Sequence, residues 1–367
     1  MYQVTTNPST GTAPSTAASA VTVRPMPPPR SRITSRDIAR EAGVSQPTVS
    51  RALRGDPRVA DATAALVQAT ARRLGYVPDP AGRSLSTRRT RTAAIVVADI
   101  TNPFYPELVE ALHEELGRAG YRAVLLNERT DARHDAGVAA LLRGGAVDGA
   151  IVATATLDEA TRGLLADEPA PIVLLNRTVD GVQRDVVVSD NRGGGALAAE
   201  LLAGLGHERI GVISGPAATS TARDRDAGFA EALRERGIAL DSELRRVGEY
   251  AHRSGYQWCL ELLALPRPPT AIFCGNDVIA LGALDAARRR GVAVPERLSI
   301  VGFDDISLAG WESFRLTTVR QQLAAMAHEA ARTLVWRIDA ADDEPPRRSV
   351  FPTELIQRAT TAPPPAS

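Results

Sequence analysis

No lysine occurs in the 367 residues, so all 43 basic side chains are arginine. A phosphate-binding loop of the Walker type needs its lysine and is excluded. The missing lysines, beside abundant alanine and arginine, read as the codon bias of a GC-rich genome. Cysteine is almost absent too. Cys259 and Cys274 are too few for a disulfide scaffold and lack metal-ligand spacing, which predicts reduced thiols in a cytoplasmic protein and no metal. No apolar run approaches the ~18 residues of a membrane span. The N-terminal stretch, rich in Thr, Ser, Ala and Pro, has no continuous apolar segment and is not expected to act as a signal peptide. The five histidines are scattered at 113, 134, 207, 252 and 328, with no GxSxG elbow and no HExxH pair. These absences argue against an enzyme, and no cofactor is expected.

What is present is unevenly distributed. The formal charge is zero, yet residues 30–92 carry 13 arginines against 5 acidic residues, and residues 93–367 carry 29 against 38. A basic segment joined to an acidic body is the pattern of a polyanion-binding head on a larger globular domain. Residues 1–30 include Pro27, Pro28 and Pro29 and are low in complexity, so a disordered tail is expected there, with a second one over 359–367.

Residues 31–78 read as three short helices. Thr34 with Asp37 has the spacing of a capping box, and Gly43 follows the first helix as a turn residue. Ser45 is placed to cap the second helix over QPTVSRALRG, and Asp61 the third, ending at Gly75. Two helices joined by a Gly-containing turn of three or four residues make a helix-turn-helix. From Ala93 onward strand-like runs such as AAIVVAD, PIVLLN, RIGVIS and LSIVGFD alternate with helical stretches. That alternation predicts parallel sheets covered on both faces by helices, in more than one open sheet. The expected fold is therefore an all-α helix-turn-helix head followed by an α/β body of two Rossmann-like lobes. Ligands in such folds bind beyond the carboxyl ends of the strands. Gly193, Gly194 and Gly195 lack dinucleotide-binding spacing and read as a close-packing site. His207 reads as structural.

The segments ITSRDIAREAGVSQPTVSRAL and LGYVPDPAGRSLST resemble the DNA-binding head of the LacI/GalR family of regulators. Downstream, DITNPFYPELVEAL, VVSDNRGGG, DRDAGF, AIFCGNDVIALGAL and VPERLSIVGFDD resemble that family's periplasmic-binding-protein-like body. The resemblance runs from about Ile33 to about Arg358. It implies a hinge over 79–92 and a ligand-binding, dimerising body over 93–358. Lobe one would hold about 93–190 and 322–351, and lobe two about 191–321 and 352–358. The implied function is a repressor that binds a pseudo-palindromic double-stranded operator as a homodimer and responds to a small effector, a sugar or sugar derivative. Activation of transcription is the alternative, and sugar binding without gene regulation is a more distant one.

In a helix-turn-helix the second helix enters the major groove, and its first residues meet base edges. Those residues are Gln46, Pro47 and Thr48, with Arg51 one turn on; arginine can bond two acceptors of guanine and glutamine can pair with adenine. Thr34, Ser45, Thr48 and Ser50 are assigned to phosphates, which position without specifying. By resemblance, Leu85 is an apolar wedge for the minor groove. Arg83 would contact phosphate, together with Arg88, Arg89 and Arg91. Also by resemblance, the effector cleft is lined by Phe104, Tyr105, Asn176, Arg177, Asp190, Arg225, Tyr250, Asn276 and Asp304. That set suits a sugar on its own terms. Carboxylates and amides bond hydroxyls, arginine bridges two of them, and aromatics cover an apolar ring face. Asp190 has a plainer alternative as the cap of the helix that follows it.

Overall fold

The computed structural model describes residues 33–76, 89–127, 135–156, 159–340 and 344–365. The chain divides into two compact units, Met1–Asp79 and Pro80–Ser367. Arg83 and Leu85, with the rest of the expected hinge up to Arg88, lie outside the described residues.

The first unit is a three-helix head: α1 Ser35–Ala42, α2 Gln46–Ala52 and α3 Asp61–Arg73. Apolar spacing builds it. Ile38, Val49 and Val67 are fully buried, one from each helix, and Ala52 joins them. Gly43 ends α1 at φ 66°, a left-handed conformation that a glycine takes without strain. The Asp37 carboxylate accepts from both the backbone N–H and the hydroxyl of Thr34. Ser45 caps α2 as expected, its Oγ accepting from the Thr48 N–H. Two expectations are corrected. The second helix stops at Ala52 rather than running through Gly55, because the backbone closes into turns in which Arg54 and Gly55 donate to Arg51 and Ala52. The third begins at Asp61 itself, with Ala60 as its uncapped flank.

The second unit holds two six-stranded sheets. The first contains β1 Thr92–Val97, β2 Arg122–Asn127, β3 Gly149–Val152, β4 Ile172–Leu175, β5 Asp185–Ser189 and β11 Arg348–Phe351. Its order is β11-β5-β4-β3-β1-β2, parallel throughout. The second contains β6 Ile210–Ser214, β7 Arg245–Val247, β8 Ala271–Cys274, β9 Ser299–Asp304, β10 Thr317–Arg320 and β12 Glu354–Ile356. Its order is β12-β10-β9-β8-β6-β7, parallel except for β12. The inner strands are buried along their whole length, and largely apolar, because helices cover both faces.

Helices α4 Phe104–Arg118, α5 Asp135–Arg143, α6 Glu159–Asp167 and α11 Leu323–Asp339 belong to lobe one. Helices α7 Asn191–Gly204, α8 Ser220–Glu235, α9 His252–Leu262 and α10 Asp277–Arg290 belong to lobe two. The chain passes from one lobe to the other three times, after β5, after β10 and after β11. Residues Arg89 and Thr90 already belong to this unit. Arg89 pairs with Asp339, and Thr90 donates to Asp148 through both its N–H and its hydroxyl. Arg91 lies 5.2 Å over the Tyr121 ring. In this structure the side chains of Arg89 and Arg91 are thus engaged within the body, where phosphate contacts were expected.

The three consecutive glycines have three separate reasons. Gly193 donates its N–H to the Asp190 carboxylate, Gly194 faces the Phe303 ring of β9, and Gly195 lies against the Arg225 carbonyl of α8. Any Cβ on Gly195 would strike that carbonyl, so α7 and α8 approach backbone to backbone. The tail is corrected as well. Thr360 and Thr361 are buried, Thr360 donates to the Ile300 carbonyl, and the Ala362 carbonyl accepts from Ser299. Small residues that find hydrogen-bonding partners along β9 and β10 order a segment whose composition alone predicts disorder. His207 is structural, buried against Thr270, Ser299 and the Ala362 carbonyl. Burial depresses its pKa.

Candidate functional site: a polar cleft and an exposed recognition helix

The cleft between the lobes forms where strands end. Lobe one supplies Asn102, Phe104 and Tyr105 after β1, and Asn176 and Arg177 after β4. Lobe two supplies Thr221 and Arg225 from α8, Tyr250 after β7, Asn276 after β8, and Asp304 at the end of β9. The enclosed space, with its mouth, is about 250 Å³.

Arg225 and Asp304 are the electrostatic centre. Their ion pair spans 3.1 Å and both are almost wholly buried, at 2% and 5% exposure. Arg225 is held on every side. Its Nε donates to Asn191, its Nη1 donates to the Gly275 carbonyl, and its guanidinium carbon sits 3.7 Å over the Phe303 ring. Gln321 donates to Asp304 through Nε2, while its Oε1 accepts from Ser189 at the end of β5. Burial pushes the Asp304 carboxyl up to about 6, against the opposing pull of Arg225. Beneath it Asp277 is also pushed up, first by burial and then by the charge of Asp304; it is held by the Thr318 hydroxyl and the Ile306 N–H.

Two wall residues hold strained backbones: Asn176 at φ 67° and Asp304 at φ 116°. Such conformations cost about 1–3 kcal/mol each and concentrate where a side chain must be aimed. Two buried polar atoms of the cleft, Asn176 Oδ1 and Arg177 Nε, have no hydrogen-bond partner among the described residues. One is an acceptor and the other a donor, the complement of a hydroxylated ligand. Phe104 and Tyr105 meet edge to face at 5.3 Å and supply the apolar wall. Asn276 lines the cleft while its Oδ1 caps α10 through the Ile279 N–H.

Eight of the nine expected cleft residues converge there. Asp190 does not. It is exposed and caps α7, its Oδ1 2.8 Å from the Gly193 N–H. Asn102 and Thr221 were not anticipated. Asn102 caps Phe104 and reaches the Tyr250 carbonyl, and Thr221 bonds the Tyr250 hydroxyl. Asn102 stands at a strand–helix junction, where a polar residue signals a cap or a ligand contact equally well.

In the head, α2 turns Val49 and Ala52 inward and leaves Ser45, Gln46, Pro47 and Arg51 exposed. Thr48 and Ser50 are half-buried. Ser45 and Thr48 share a hydrogen bond, and Gln46 donates to Ser35. Ion pairs occupy Arg40, Arg58 and Arg73, whereas Arg36, Arg51, Arg54 and Arg72 form none among the described residues. Of these four, Arg51 alone lies on α2, where it is exposed.

Residues 34–79 match the family described as bacterial regulatory proteins, lacI family, and residues 199–361 match the periplasmic binding protein-like domain. The HTH-type transcriptional regulator DegA of Bacillus subtilis is 34% identical over 330 residues, 89% of this chain and 97% of its own. The chain belongs to the LacI family. It is thus a DNA-binding transcriptional regulator with a helix-turn-helix head and a two-lobed α/β body. Among solved structures, a transcriptional regulator CelR–cellobiose complex aligns at 33% identity and TM-score 0.69, covering 90% of this chain and all of that one. The lac repressor dimer bound to operator and the anti-inducer ONPF aligns at 25% identity and TM-score 0.82, covering 90% and 99%. Among the described residues no helix is long and apolar enough to cross a membrane, and no cluster of metal-binding side chains occurs.

Proposed function

We propose that this LacI-family member is a repressor that binds a pseudo-palindromic operator as a homodimer and is switched by a neutral, hydroxyl-rich small molecule. The observation carrying the effector class is the cleft itself. A buried Arg225–Asp304 pair stands opposite an unpartnered Asn176 Oδ1 and Arg177 Nε, beside an aromatic wall. A sugar answers each of these groups; a fatty or fully apolar ligand meets only the aromatic wall. The cellobiose complex of a relative supports the same reading. A calorimetric panel of monosaccharides, disaccharides, polyols and nucleosides against the full chain tests it. Binding by apolar compounds and by no hydroxylated one would overturn it.

One recognition helix reads a half-site, so two heads at fixed spacing are needed for a full operator. Light scattering is expected to give twice the 38.9 kDa chain mass at micromolar concentration. A monomer, with and without DNA, would contradict the assembly. On DNA, Arg51→Ala is expected to cost about 1–3 kcal/mol on the operator and little on random sequence, because a base contact carries specificity and a phosphate contact does not. Fluorescence anisotropy on both DNAs measures the difference, and equal losses would move Arg51 to the phosphates.

Effector binding also carries a pH signature. Asp304 accepts hydroxyl hydrogens best as a carboxylate, and its pKa is raised to about 6. Effector affinity is therefore expected to weaken as pH falls through about 6. Its linkage to folding has the opposite sign. A carboxyl that holds its proton more tightly when folded favours folding at low pH, and this contribution is lost as pH rises from about 4 to 6. An affinity that stays flat between pH 7.5 and 5.5 would remove Asp304 from the contact set.

A further inference from the structure

Helix α8 has two working faces. Thr221 and Arg225, four residues apart, face the effector cleft. On the other side Ala222, Asp226 and Ala230, with Arg223 and Ala227, line a separate groove closed by Arg245 and Val247 of β7. This groove is larger than the cleft, about 790 Å³ with its mouth. Its floor is alanine and its rim includes Val247, 54% exposed. At its centre Asp226 is held on one side only. Its Oδ2 accepts from the Ser214 hydroxyl at 2.5 Å and from Arg245 at 3.2 Å, while its buried Oδ1 has no hydrogen-bond partner among the described residues. Burial holds that carboxyl above the usual range. Arg223 is fixed at the rim by Asp180 and Asp224.

We propose that this groove is a second small-molecule site, one that takes a hydroxylated anion such as a sugar acid or a polyol phosphate. Each part of the ligand answers a group on the walls. A hydroxyl donates to Asp226 Oδ1, which otherwise stays buried and unsatisfied. The anionic group meets Arg245, whose carboxylate partner is Asp226, and competes with Asp180 and Asp224 for Arg223 at the rim. The carbon skeleton lies over Ala227, Ala230 and Val247. A neutral polyol satisfies Asp226 alone, and an apolar ligand leaves Asp226 Oδ1 unsatisfied.

The two sites share walls. Ser214 reaches Asp226, and the next residue, Gly215, lies directly under the Tyr250 ring of the cleft. Tyr250 is in turn tied to Thr221 on α8. Ligand in the groove therefore acts on the helix that carries Arg225. Where the cleft binds its effector as proposed above, the two ligands change each other's affinity by one common factor.

The test is calorimetry on the full chain with gluconate, glycerol 3-phosphate and glycerol. At least one of the two anions is expected to bind, and glycerol is not. Ala227→Trp fills the groove and Arg245→Gln removes a rim charge without touching the core. Each should weaken anion binding at least tenfold, while Asp304→Asn, altered only in the cleft, should retain it. The Arg245→Gln arm stands even where the tryptophan variant folds poorly. No binding of either anion, equal binding of glycerol, or binding that survives both groove variants would overturn the proposal. Anion binding lost only in Asp304→Asn would place the ligand in the cleft and overturn it too. Failure of the groove leaves the cleft reading intact, because that rests on neutral sugars and is measured separately.

Discussion

Arg225→Ala is expected to lower the unfolding free energy of the body by about 3–5 kcal/mol, the usual cost of removing one member of a buried ion pair. The substitution strips several anchors at once. Asp304 loses its counter-ion, the Gly275 carbonyl and Asn191 lose their donor, and the Phe303 ring loses the cation stacked on it. Asp304 would then share a buried site with Asp277 and no facing guanidinium, so it would tend to take up a proton. Two readouts follow. Thermal unfolding should shift down by many degrees at pH 7.5, and part of the loss should return at pH 5.5, where Asp304 is neutral. Arg225→Lys should recover little, because a point charge cannot serve Asn191, Gly275 and Asp304 from one plane. A loss below about 1 kcal/mol in Arg225→Ala would show that the pair contributes little to the fold and that its geometry serves the ligand alone.

How legible this was in the sequence depends on the range of the interaction. The central strands β1, β3, β4, β6, β8 and β9 were visible because helices cover them on both faces, which writes a continuous apolar run such as AIVV or IVGF; the short or polar β7, β10, β11 and β12 carry no such run and were not read. The head was visible through Thr34, Gly43 and Ser45, whose effects are confined to one turn. The convergence of Asn176, Arg225 and Asp304 came from resemblance; no local pattern brings together residues that lie 49 and 79 positions apart in turn. Once the fold is in hand its physical reason is plain, since each stands at the carboxyl end of a strand or the start of the following helix. Asp190 shares that position in the chain but spends its carboxylate on the α7 cap, a choice that spacing alone leaves open. Composition misled at the C-terminus. Thr360 and Thr361 are ordered by partners on β9 and β10, sixty and forty-four residues earlier in the chain. Gln321 also escaped notice. It lies where the chain crosses between lobes and joins Ser189 to Asp304, a role that only the tertiary structure defines.

Asp304→Asn is expected to separate effector sensing from DNA binding. The asparagine keeps the size of the side chain and an acceptor for Gln321 and Arg225 but leaves the buried Arg225 without a counter-ion, so its thermal unfolding is measured beside its binding. What it loses is a charged acceptor for ligand hydroxyls, worth about 1.5–3 kcal/mol, or roughly 10- to 150-fold in effector affinity. Operator affinity without effector should stay within about threefold of wild type, because Asp304 belongs to the body and not to the head. In wild type an effector can shift the operator equilibrium only by its difference in affinity between the two closures of the cleft, typically about 1–3 kcal/mol. That difference is reciprocal: effector should bind operator-bound and free protein with affinities differing by the same factor by which it changes operator affinity. Asp304→Asn should move the effector response to higher concentration. The size of the final response should fall only where Asp304 itself distinguishes the closures. Titrating effector into free and operator-bound protein, wild type and variant, measures all four affinities. A full response at the wild-type concentration in Asp304→Asn would remove this carboxylate from the switch. Equal effector affinity on free and operator-bound wild type would show that the cleft and the operator are not coupled in this chain.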